Sequence, residues 1–122
     1  YSCRTERMTL IEARRRLAAL RRDIDEFIAI RADLAELRAD LAQSGQSPLG
    51  AFADTKAIEA RLHNTLEHFS SSGWQVKGVA PLLLDLPGER AGQPVLWCWL
   101  EGDAEVSWYH RLDTGFAGRR PA

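Results

Sequence analysis

Between Leu10 and Leu41 the apolar residues recur at steps of three and four: Leu10, Ala13, Leu17, Leu20, Ile24 and Phe27, then Ile30, Leu34, Leu37 and Leu41. Such steps hold side chains on one stripe of an α-helix, whereas a strand needs strict alternation. No Gly or Pro interrupts residues 10–43. The front of the chain is thereby committed to one amphipathic helix of about 50 Å, at about 1.5 Å per residue. The stripe is a coiled-coil seam that changes phase once, because Phe27 to Ile30 is a step of three where a strict heptad needs four. Thr9-Leu10-Ile11-Glu12 has the form of a capping box, which sets the predicted span at 9–43.

Residues 43–47 are a Gln/Ser/Gly break, after which Ser47 and Pro48 supply an N-cap and a first helical position. The spacing of Phe52, Ile58, Leu62, Leu66 and Phe69 predicts a second helix over 48–72, with Gly50 weakening its first turn and Gly73 as its stop. The short connection favours an antiparallel, coiled-coil-like hairpin. The second helix is the shorter one, so the Leu10–Leu20 stretch overhangs and needs either the strands or a second chain to cover it.

From Trp74 the period changes to two. Leu82, Leu84 and Leu86 alternate with Leu83 and Asp85; a second strand runs from Val95 to Glu101 and a third from Glu105 to Leu112. Gly102-Asp103 reads as a two-residue hairpin loop. That loop sets Trp99 opposite Val106, Trp97 opposite Trp108 and Val95 opposite His110, and puts Cys98 on the other face. The expected fold is α+β: a helical hairpin followed by a three-stranded antiparallel meander over 74–112, in one domain, with an irregular tail over 113–122.

Composition excludes several classes. Hydrophobic residues make up 45% and charged residues 27% of 122 residues, which is globular rather than disordered. No apolar run nears the roughly 20 residues of a membrane span. The net charge is −1, against the basic excess of a nucleic-acid binder. Arg14, Arg15, Arg16, Arg21 and Arg22 lie beside Asp23, Asp25 and Glu26, which reads as a salt-bridged, solvated helix face. Two cysteines, Cys3 and Cys98, make no disulfide framework, and the polar start of the chain has no apolar leader core. The expected compartment is the cytoplasm.

Several motifs follow one another in the second half: Leu84-Asp85-Leu86-Pro87-Gly88, Val95-Leu96-Trp97-Cys98-Trp99, Gly102-Asp103-Ala104-Glu105-Val106, Tyr109-His110 and Gly115-Phe116-Ala117-Gly118-Arg119. With the Thr-Leu-Ile-Glu helix start and the charged front half, this series resembles the bacterial family called domain of unknown function 2203. Asp103 stands where Glu is usual in that pattern. The resemblance implies a small, largely helical protein and carries over neither a substrate nor a catalytic residue.

Two functional readings follow. The first is a homo-oligomeric coiled-coil interaction or scaffold module, a dimer through its overhanging seam, with room for another protein partner and no cofactor. The second is a small enzyme or ligand-binding protein with a pocket near Asp85, His110, Asp113 and Arg119, a set that has to converge within about 4 Å to work together. Arg119 is the residue type for bidentate anion contacts, and its bland role is to tie the tail to Asp113 or Asp85. No metal site is expected: Cys98 and His110 fall on opposite faces of the predicted hairpin, and His63 and His68, five apart, share no helical stripe.

Overall fold

The computed structural model describes residues 8–122; Cys3 and the expected frayed start lie outside the described residues. Two helices, α1 (Leu10–Ser44) and α2 (Phe52–Ser71), precede an antiparallel sheet of five strands in sequence order: β1 (Gln75–Val79), β2 (Leu82–Arg90), β3 (Gln93–Leu100), β4 (Trp108–His110) and β5 (Arg120–Pro121). The α+β class stands, with five strands in place of three. The chain divides into two compact units: Arg21–His68, and the start of α1 through Leu20 together with Phe69–Ala122.

The capping box forms as its spacing requires. The Glu12 N–H donates to Thr9 Oγ1 at 3.2 Å, and the Thr9 N–H donates to Glu12 Oε1 at 3.3 Å. Every seam position from Ala13 to Leu37 is buried, on both sides of the phase change, and Leu10 and Leu41 are half-buried. Burial within a single chain removes the uncovered overhang that favoured association. Light scattering at micromolar concentration is accordingly expected to give a mass near 13.7 kDa. Twice that mass would locate an interface elsewhere than the seam.

Helix α2 starts at Phe52 rather than at Pro48. Gly50 has φ +137°, and the Ala51 N–H is capped by Asp54 Oδ2 at 2.7 Å. A turn thus occupies the expected first residues of the helix, and Phe52, expected on the apolar face, is 76% exposed. The far end stops as predicted. Gly73 has φ +95°, and the Trp74 N–H donates to the Phe69 carbonyl at 3.1 Å.

In the second unit β3 is buried on both faces from Val95 to Trp99. Register defines those faces. Leu84 and Leu86 of β2 pair with Trp99 and Trp97 of β3, and Trp97 pairs with Tyr109 of β4. Residues that pair directly share a face. The start of α1 is fastened to this apolar face. The Met8 carbonyl accepts from Trp97 Nε1–H at 2.9 Å and from the Glu89 N–H at 3.0 Å. Arg14 Nε–H donates to the Val106 carbonyl at 2.9 Å, and Arg14 Nη2 lies 3.4 Å from Glu105. Arg16 Nη1–H reaches the Ser72 carbonyl at 3.1 Å. Arg14 and Arg16 therefore hold helix to sheet and loop, where a self-paired helix face was expected. Gly88 is required here, because a Cβ would run into both the Trp97 indole nitrogen and the Met8 carbonyl.

The β3–β4 connection corrects the expected hairpin. The tight turn is centred on Glu101-Gly102, one residue early, with Gly102 at φ +105° and the Asp103 N–H returned to the Leu100 carbonyl at 2.9 Å. Asp103 Oδ2 accepts the Leu100 N–H at 3.1 Å, and its carbonyl accepts Trp99 Nε1–H at 2.9 Å. The chain then runs on to Trp108 before pairing resumes, so His110 opposes Leu96 rather than Val95. Trp108 opposes Cys98, leaves the apolar face and is only half-buried, contrary to its expected place in the core. A shift of one residue exchanges faces throughout a strand.

Candidate functional site

The second face of the sheet carries Asp85 on β2, Cys98 on β3 and His110 on β4. Asp85 and Cys98 are direct partners across β2 and β3, and His110 lies two residues along from Trp108, the partner of Cys98. All three are buried: Asp85 at 2%, Cys98 at 0% and His110 at 3% exposure. One donor atom from each lies within 4.8 Å of the other two. The expected separation of Cys98 and His110 onto opposite faces is thus overturned by the register of β4.

Hydrogen bonding fixes the imidazole. Nδ1 lies 2.7 Å from the Arg111 carbonyl and Nε2 lies 2.9 Å from Asp85 Oδ2. A carbonyl oxygen only accepts, so Nδ1 carries a proton. The other ring nitrogen faces the carboxylate, and a cation must sit between two such acceptors; in the metal-free chain that cation is a proton. Asp85 Oδ1 is buried and has no hydrogen-bond partner that meets full geometry among the described residues. The Cys98 thiol contacts this carboxylate, and burial first, then the Asp85 charge and the thiol's hydrogen bond to it, push the thiol up to about 12.

These contacts are wrong for a cysteine nucleophile. Such a residue needs a base free to take its proton and a lowered pKa. Both ring nitrogens of His110 are engaged elsewhere, and the thiol is shifted in the opposite direction. The shift also sets a stability trend. The folded thiol titrates near 12 and the unfolded one near its ordinary 9.0. Between those values the unfolded chain binds fewer protons, so stability falls as pH rises. Metal-free protein is expected to lose about 1.4 kcal/mol per pH unit above pH 9 relative to a Cys98→Ala variant, read by urea denaturation across pH 8–11.

Arg119 reaches the same face along the tail. Arg120 pairs with Tyr109 and Pro121 with Trp108, so alternation puts Arg119 on the side of Trp108 and His110. Its guanidinium stacks on Trp108 at 4.5 Å and on Phe116 at 4.3 Å, and its charge acts on Cys98. Stacking, rather than an ion pair to Asp113 or Asp85, anchors it. Arg119 Nη1 is buried without a hydrogen-bond partner among the described residues. Asp113 does not join the cluster. It is exposed and held by the Arg111 fork at 2.9 and 2.6 Å, which lowers its carboxyl below the ordinary range.

Of the four residues picked from sequence, Asp85 and His110 meet directly, Arg119 lies on their face and Asp113 lies outside. Cys98 was weighed as a metal ligand and set aside, because the expected register put it on the other face from His110. The signal for the observed register was Asp103: an acidic residue just after Gly102 is able to cap the preceding strand and shift the turn.

No helix among the described residues is long and apolar enough to cross a membrane. No curated protein and no solved structure matches the chain. The model of one family, DUF2203, an uncharacterized conserved protein, matches residues 7–122, essentially the whole chain, which therefore belongs to that family.

Proposed function

We propose that this chain is a metal-binding domain whose site is the Asp85–Cys98–His110 cluster. One observation carries the reading: with Nδ1–H donated to the Arg111 carbonyl, the Nε2 lone pair of His110 points at Asp85 Oδ2 across 2.9 Å, beside a buried thiol. Metal-ligating histidines are commonly oriented by this same bond from the second nitrogen to a backbone carbonyl. A cation entering the cluster takes the place of the bridging proton and also engages the orphaned Oδ1.

The reading supports binding rather than catalysis, since the donors are sealed from solvent. The expected result is one equivalent of a divalent ion retained by the chain after dialysis against a panel of magnesium, calcium, manganese, cobalt and zinc, measured by plasma emission. Asp85→Asn is expected to retain none. A chain that holds no ion from the whole panel overturns the reading.

A further inference from the structure

We propose that the cluster selects a thiophilic divalent ion of the zinc class, bound by the Cys98 thiolate, His110 Nε2 and the Asp85 carboxylate in a closed, structural site. This rests on the metal-binding reading and names the ion and its role.

The donor set decides the class. Sulfur, imidazole nitrogen and carboxylate oxygen are ligands for zinc and its neighbours. Calcium takes six to eight oxygens, and magnesium takes an octahedral shell that keeps several waters. Here one carboxylate supplies all the side-chain oxygen of the cluster. Distances are compatible. Tetrahedral zinc bonds place donor atoms about 3.3–3.6 Å apart. The 2.9 Å between Nε2 and Oδ2 has to open slightly, and the 4.8 Å bound on the cluster has to close, which side-chain rotation accomplishes.

Charge sharpens the choice. A divalent ion with Asp85 and Cys98 both anionic and His110 neutral makes a neutral centre. An ion too hard to displace the thiol proton leaves a net positive centre, buried and facing Arg119, whose charge acts on the same thiol. Formation balances as M²⁺ in and two protons out: one from the thiol, one from the Asp85–His110 bridge.

Closure decides the role. A catalytic zinc keeps an open position for water or substrate. Here the ligands are 0–3% exposed, and Asp85 Oδ1, buried and without a hydrogen-bond partner among the described residues, can fill the fourth position in place of water. The three ligands come from β2, β3 and β4, so the ion ties short β4, only three residues long, to the centre of the sheet.

The test uses the full chain with Cys3→Ser, so that Cys98 is the one thiol. Cobalt(II) titration is expected to give an intense tetrahedral visible spectrum and a sulfur-to-cobalt band in the near ultraviolet, saturating at one equivalent and displaced by zinc. Millimolar magnesium or calcium is expected to change neither band. Cys98→Ala is expected to lose the ultraviolet band and to weaken zinc by about 100-fold or more. X-ray absorption of the zinc-loaded chain needs no further variant, and is expected to show one sulfur at about 2.3 Å with nitrogen and oxygen near 2.0 Å. An all-nitrogen/oxygen shell, or equal binding of magnesium or calcium, overturns the zinc-class proposal while leaving a cation site. Absence of any bound ion overturns both.

Discussion

Trp97→Ala is expected to lower stability by about 3–5 kcal/mol, the range for removing a buried large aromatic side chain. Trp97 is 2% exposed on the central strand and meets Tyr109 edge-on, with ring centroids 6.0 Å apart. Its indole N–H also fastens the start of α1 at Met8. Trp97→Phe separates these contributions. It keeps most of the apolar contact and leaves the Met8 carbonyl satisfied by the Glu89 N–H, so a loss of about 1 kcal/mol is expected. Urea denaturation of both variants checks the pair of values. A loss below about 1 kcal/mol for the alanine variant would place Trp97 outside the core.

Asp85→Ala, in metal-free protein, is expected to cost about 3–5 kcal/mol, because it strands a polar ring nitrogen in a dry site. Asp85 and His110 side chains are each 3% exposed and bonded at 2.9 Å. Replacing both, with Asp85→Leu and His110→Phe, removes the need for pairing and is expected to recover at least half of the loss. Chemical denaturation of the two singles and the double gives the coupling. Additive losses would show that the pair is not a unit.

The helices were legible because their signals are local. Steps of three and four, a Thr-x-x-Glu start and a Gly stop each name a position without reference to the rest of the fold. Strands β2 and β3 were legible from alternation. Strands β1 and β5 were not: their side chains are exposed or half-buried, so edge pairing rather than apolar alternation defines them. The grouping around Asp85 was illegible for a different reason. Asp85, His110 and Arg119 lie on one face of the sheet, and their company depended on the register of β4. That register hung on where one turn was centred, which the Asp103 side chain decides. Cys98 was read as a small buried hydrophobe, which its burial supports, yet its partner across β2 is Asp85 and a ring nitrogen of His110 lies within 4.8 Å.

The segment 101–107 between β3 and β4 behaves as a parity element. Its length is odd, and adding or removing one residue would send His110 to the side of Trp97 and bring Tyr109 beside Cys98, with every strand still drawn in the same order. A change of two residues would restore the original side while shifting the pairing along the strand. Loop length here is thus constrained in steps of two rather than by reach or flexibility. Two chains alike at Asp85, Cys98 and His110 but differing by one position in this segment would have the same topology and a different set of neighbours around Cys98.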